Sequence, residues 1–289
     1  MNQLFVFGLG YSASAIASLV LKSGWRVLGT VRSLEKSGGA AAKGFSPVLF
    51  SDAADIGQAL QSATHCLISV PPGDGGDPVL AAYAEALRAA PKLRWMGYLS
   101  TIGVYGDLQG AWADEETPAE PETGRGGARI EAEAAWSAFC KERAVPLDIF
   151  RLAGIYGPGR SSFDRIRAGD ARAIVKPGQV FNRIHVGDIA QTVAAAIFQE
   201  RSEAGTRLFN VADDEPAPPQ DVILYAAELI GAPPPPVIPF ESAELSPMAR
   251  SFYSGNKRMR NDKIKRELGI ALRYPTYREG LRALAESLN

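Results

Sequence analysis

The feature that most constrains this chain is a rhythm. Short runs of apolar, β-branched or aromatic residues alternate with longer amphipathic stretches through its first two thirds. The short runs are Gln3 to Phe7, Arg26 to Val31, Ser46 to Phe50, His65 to Val70, Arg94 to Ser100, Leu147 to Arg151 and Arg207 to Val211. Near-continuous apolar runs suit strands buried on both faces, and the helices between them supply the crossovers that parallel strands require. Helices are expected to begin near Ser12, Ala54, Pro78, Gly126 and Asp188, with another over Gln220 to Ile230. The class is therefore α/β, a doubly wound parallel sheet.

The first strand runs directly into Gly8-Leu9-Gly10-Tyr11-Ser12-Ala13, which fits G-x-G-x-x-A. Gly8 permits the tight turn, Gly10 lets a pyrophosphate approach the backbone, and Ala13 lets the next helix pack closely on the sheet. The helix then presents free N–H groups to an anion. The reading is a Rossmann-type nucleotide site with Gly8, Gly10, Tyr11, Ser12 and Ala13 at its centre. An NAD site places an acid at the end of the second strand, but here Gly29-Thr30-Val31-Arg32-Ser33 holds none before Glu35. Arg32 and Ser33 suit a 2′-phosphate through charge-assisted hydrogen bonds, so NADP is preferred and NAD stays open. Asp52, after the third strand, is a candidate for the adenine amino group, and Val70 and Pro71 should pass beside the cofactor's middle.

Composition removes several other classes. Over 289 residues, 31 basic side chains balance 32 acidic ones, so no global field draws in nucleic acid or an anionic membrane. Cys66 and Cys140 read as inert core thiols, and with only His65 and His185 as imidazoles no metal site is expected. The apolar run from Leu4 to Leu21 looks like a leader segment, but it lacks a basic start and is interrupted by two glycines. With so little cysteine, a cytoplasmic protein is expected.

Further motifs resemble those of the extended short-chain dehydrogenase/reductases, the NAD-dependent epimerase/dehydratase family, over almost the whole chain. Leu99-Ser100-Thr101-Ile102-Gly103-Val104-Tyr105-Gly106 is similar to the family's S-T-x-x-V-Y-G strand end. Arg151 to Gly159 is similar to its R-x-x-x-x-Y-G-P-G segment, Ile184 to Ala190 to its I-H-V-x-D-I-A element, and Phe209-Asn210-Val211 to its N-V strand. The resemblance implies a nicotinamide cofactor, a small-molecule substrate bearing a hydroxyl or carbonyl, and a homodimer.

It also implies a Tyr-x-x-x-Lys pair on the helix after the fifth strand, where lysine lowers the phenol pKa for proton exchange. The family's Lys-x-x-Ala-Glu continuation is met by Arg129-Ile130-Glu131-Ala132-Glu133, which puts Arg129 at the lysine position and Arg125 at the tyrosine position. A guanidinium stays protonated near neutrality and cannot exchange that proton. The standard relay is absent. Ser100, Thr101, Tyr105 and Arg129 are left as the candidate catalytic set, with Tyr105 or a water supplying any proton. Either an atypical enzyme or a non-catalytic NADP(H)-binding regulator satisfies this sequence.

Arg125, Tyr156, Arg160 and Arg183 come from segments expected to border the cleft, and as a set they favour an anionic substrate, a nucleotide-sugar among the candidates. Residues 1–154, with 181–212 returning to them, should form the dinucleotide-binding domain. Residues 155–180 and 213–289 should form a smaller C-terminal α/β substrate region. The acid-, proline- and glycine-rich stretch Asp107 to Gly127 reads as a long surface loop, and Pro233 to Pro236 as a stiff spacer. The basic stretch Asn256 to Gly269 reads as a solvated helix ending at Gly269 rather than a nucleic-acid surface.

Overall fold

The computed structural model describes residues 1–121, 124–201 and 203–288; Glu122 and Thr123 of the long loop lie outside the described residues. Seven strands, β1 (Gln3–Phe7), β2 (Arg26–Val31), β3 (Ser46–Leu49), β4 (His65–Ile68), β5 (Trp95–Thr101), β6 (Leu147–Leu152) and β7 (Thr206–Val211), form one sheet. Its order is β7-β6-β5-β4-β1-β2-β3, and every neighbouring pair is parallel. Two strands end earlier than their apolar runs, but the ladder continues by single bonds, Phe50 N–H to the Val31 carbonyl and Ser69 N–H to the Phe7 carbonyl, each 2.9 Å.

On one face lie α1 (Tyr11–Lys22) and α7 (Val186–Phe198), where Ile16, Val20, Ile189 and Val193 are fully buried against Leu4, Val6 and Phe209. On the other lie α3 (Ala53–Leu60), α4 (Pro78–Arg88) and α5 (Gly124–Glu142), where Ile56, Leu87 and Trp136 cover Phe5, Cys66 and Tyr98. Both cysteines are core thiols whose pKa burial raises. One helix, α2 (Leu34–Ala41), has no apolar stripe to announce it, because its LEKSGGAA sequence carries two poor helix formers. At the lower edge Asp148, fully buried, accepts hydrogen bonds from Trp95 Nε1 at 2.8 Å and from Arg201 and Arg207.

The start of α7 shows how a cap moves a boundary. His185 Nδ1 accepts the Gly187 N–H at 3.0 Å, so the helix begins at Val186, ahead of Asp188. Beyond the sheet, α6 (Ser162–Arg167), α8 (Pro219–Leu229) and α11 (Tyr277–Glu286) share a small core of Tyr156, Phe163, Val222, Tyr277 and Leu281. Between them lie α9 (Pro247–Ser251) and α10 (Asp262–Leu268), and α10 ends on Gly269 in the left-handed conformation at φ 66°. Among the described residues no helix is long and apolar enough to cross a membrane.

Candidate functional site

Because all seven strands run the same way, the segments that follow them emerge along one edge. The strand order reverses between β1 and β4, and such a reversal opens a crevice at the carboxyl ends of the strands. The glycine loop, Arg32, Asp52, Val70, Pro71, Ser100, Thr101, Tyr156 and Arg160 all belong to that edge. A concavity of about 460 Å³ at the opposite edge, lined by Arg26, Lys92 and Arg94 among others, brings together no acid and base.

The glycine loop is held from β2. Gly8 N–H donates to Thr30 Oγ1 at 2.8 Å and Leu9 N–H to the Thr30 carbonyl at 2.9 Å. Gly8 sits at φ +89°, and a Cβ there would lie 3.0 Å from Val70 Cγ2, so the turn demands glycine on two counts. Gly10 differs: its φ is −84°, and a Cβ there would meet nothing within 4 Å. That open space faces the start of α1, where no side chain caps the helix. Its first-turn N–H groups therefore have no side-chain acceptor at the cap. Ser12 and Ala13 are buried behind this turn. Arg32 is exposed and, among the described residues, holds no ion pair or hydrogen bond through its side chain. Ser33 begins α2 without capping it through its side chain. Asp52, in contrast, is already in use: its carboxylate caps α3 by accepting the Asp55 N–H at 3.0 Å.

The candidate catalytic groups are all engaged. Ser100 is buried, and its Oγ donates to Glu133 at 2.5 Å. Glu133 also receives Arg151 through two bonds, at 3.1 and 2.7 Å, with both side chains about 7% exposed. Burial pulls the Arg151 pKa down, but the bonds and charge of Glu133 outweigh it and leave the guanidinium above its ordinary value. Thr101 Oγ1 accepts the Gly103 N–H at 3.1 Å and so caps the turn over Ile102–Tyr105. The phenol of Tyr105, a candidate proton source, is 1% exposed, donates to Asn210 Oδ1 at 2.8 Å, and lies under the Arg151 guanidinium. Burial raises its pKa.

Arg129 Nη1 donates to the Leu99 carbonyl at 2.7 Å and to the Tyr98 hydroxyl at 3.1 Å. A phenol beside a cation is thus present, but Tyr98 is fully buried and its pKa is pushed up to about 12, first by burial. Arg125 reaches the C-terminal segment, where Nη2 donates to Ser251 Oγ at 2.9 Å and the guanidinium lies 6.0 Å from the exposed Phe252 ring. Arg183 departs from its expected place on the cleft wall: its Nη1 donates to the Phe181 and Ala217 carbonyls, and burial lowers its pKa. Tyr156 is buried, its hydroxyl donating at 3.5 Å to the Thr276 carbonyl. Arg160 stands over Tyr11, with its guanidinium carbon 5.8 Å from that ring.

The motif reading missed Glu133 and Asn210 as partners of these groups. Glu133 carried a signal, since it lies one turn beyond Arg129 in an otherwise alanine-rich helix stripe that must face the sheet. Among the described residues no group of His, Cys, Asp and Glu gathers as a metal site.

No protein-family model matches the chain. It is 28% identical to Protein YeeZ of Escherichia coli strain K12 over 290 residues, covering 95% of this chain and 97% of that protein. A solved structure of a functionally unknown conserved protein from Silicibacter pomeroyi DSS is 50% identical, with a TM-score of 0.92 over 99% of both chains. A candidate NAD-dependent epimerase/dehydratase from Methylobacillus flagellatus is 26% identical, with a TM-score of 0.72 over 99% of this chain and 98% of that one.

Proposed function

We propose that the chain is a member of the extended short-chain dehydrogenase/reductase family, of the NAD-dependent epimerase/dehydratase type, and that it binds NADP(H) as an oxidoreductase or epimerase-like enzyme. The observation that carries the reading is the start of α1: an uncapped helix N-terminus beside a glycine whose missing Cβ leaves open space. A dinucleotide phosphate fits those donors, and a side chain at Gly10 would fill the cradle. Arg32, with no partner of its own, holds the 2′-phosphate. Val70 and Pro71 border the cofactor's middle, and Asp52 keeps one carboxylate oxygen free of the α3 cap for the adenine.

When bound, the nicotinamide supplies or accepts hydride. This chain's residues orient the substrate. Ser100 offers a lone pair while its hydroxyl proton is engaged in the hydrogen bond to Glu133, and Arg129 fixes the strand end by holding the Leu99 carbonyl. With Tyr105 buried and arginine at position 125, water moves the proton. Arg125, beside the exposed Phe252, receives an anionic group of a small substrate bearing a hydroxyl or carbonyl, a nucleotide-sugar among them. The compartment proposed is cytoplasmic.

The engaged hydroxyls of Ser100 and Tyr105 favour a second reading, a regulator that binds NADP(H) without turning it over. Fluorescence titration with NADPH and NADH tests the shared claim. Saturable NADPH binding, tighter than NADH, is the expected result; equal affinities refute the NADP preference, and no binding of either refutes the site. Nicotinamide absorbance with sugar, sugar-nucleotide and aldehyde panels then separates enzyme from regulator.

A further inference from the structure

We propose that Arg160 is a clamp for the cofactor's diphosphate, closing the nucleotide site from the side facing α1. This rests on the dinucleotide reading above. Its place after β6 puts Arg160 among the residues expected to meet substrate, but its surroundings point elsewhere. The guanidinium lies over the ring of Tyr11, which opens α1 directly after Gly10.

The approach is built rather than incidental. The Tyr11 hydroxyl donates to the Pro158 carbonyl at 3.0 Å, across 147 residues of sequence. Gly157 and Arg160 exchange backbone hydrogen bonds of 3.0 Å in both directions, which folds the intervening segment into a tight turn. That turn presses so closely on the loop that a Cβ on Gly157 would stand 2.6 Å from Tyr11 Oη and 2.6 Å from Val186 Cγ1. Inward of the turn, His185 spends Nδ1 on the Gly187 N–H, so its proton belongs to Nε2. That atom is buried without a partner in a side chain 5% exposed, and it would lie 3.4 Å from the same Cβ.

The electrostatics then select the ligand. Arg160 is exposed and, among the described residues, makes no ion pair or side-chain hydrogen bond; its guanidinium lies over the Tyr11 ring. A helix N-terminus carries about half a positive charge. The guanidinium, over the first residue of the helix, and the helix start are thus two positive centres beside the same loop. A diphosphate placed there gains from both, and the planar fork of arginine suits its oxygens.

The test titrates two ligands by calorimetry: NADPH, and adenosine 2′-monophosphate, which carries the 2′-phosphate but neither phosphate of the diphosphate nor the nicotinamide. In Arg160→Gln the NADPH affinity falls by about tenfold or more. In Arg160→Lys, which keeps the charge and loses the fork, it falls less. The monophosphate binds all three proteins alike, and salt weakens NADPH binding to the wild type more steeply than to Arg160→Gln. Unchanged NADPH affinity in Arg160→Gln overturns the clamp. Equal losses for both ligands overturn it too, because the arginine would then be supporting the loop as a whole. A wild type that binds neither ligand overturns the dinucleotide reading, and the clamp with it.

Discussion

The two ends of the upper sheet edge are built on opposite principles. At the β1 and β2 end, the α1 amides, Arg32 and Arg160 are polar and unspent. At the β5 and β6 end, Ser100 and Arg151 are bonded to Glu133 and Tyr105 to Asn210, and the two buried groups meet where the Arg151 guanidinium lies over the Tyr105 ring. Unspent donors cost little at an exposed edge and gain once an anion arrives, whereas a buried polar group must be satisfied from within. The first end keeps its donors free, as the proposed nucleotide site requires. The second is arranged to hold the strands together, and chemistry there has to work with groups that already have partners.

The largest effect expected of this contrast is on stability. Arg151→Ala leaves Glu133 buried with only Ser100 as a partner, and removing one member of a buried pair costs about 3–5 kcal/mol. Chemical denaturation should show that loss, while NADPH affinity of the folded fraction stays unchanged; an exposed-type loss of under about 1 kcal/mol would mean the pair is solvated. Gly10→Val inverts the outcome. No neighbour within 4 Å and a negative φ leave the fold unstrained, so the melting temperature holds while NADPH affinity drops by at least about tenfold. If melting temperature falls and affinity holds, Gly10 serves the turn and not a ligand.

A smaller effect is read in pH. Burial, helped by the Arg273 charge, holds the His185 pKa at about 4 against an ordinary 6.5. Between those values the unfolded chain takes up a proton that the folded one refuses, so this contribution is complete above pH 6.5 and is lost as pH falls towards 4. Asp213 has the opposite sign, since burial raises its carboxyl pKa, which makes the whole-protein curve a poor readout. The useful quantity is the stability gap between wild type and His185→Phe. It should narrow on acidification from pH 7, and a constant gap would show the imidazole titrating normally. Smallest of all is Tyr105→Phe. Loss of the Asn210 bond should cost about 1 kcal/mol and leave any turnover unchanged; a fall in turnover without a fall in stability would return the phenol to the mechanism.

How much of this the sequence discloses depends on the range over which each feature is decided. The strands were legible because a strand covered on both faces must be apolar throughout, and the run over Arg26 to Val31 has no competing helical period. The glycine loop was legible because turn, cradle and helix start are adjacent in the chain. The partners of Ser100 were not, because Glu133 meets Arg151 only once α5 packs against β5 and β6. Likewise the motif order set Arg160 beside the substrate, and only the approach of the turn over Gly157 to Arg160 brings it to Tyr11. Helix α2 was hidden for a different reason, since tertiary packing rather than local propensity sustains its two glycines.

Thr30 ties these threads together. One residue of β2 holds the amides of Gly8 and Leu9, and two positions later the same strand delivers Arg32. On the proposed reading, the seats for the diphosphate and the 2′-phosphate are therefore rungs of a single ruler, set by covalent backbone and the two Thr30 bonds. A nucleotide whose phosphates stand at another separation would then reach one seat and forfeit the other, which makes length itself a criterion of admission under that reading.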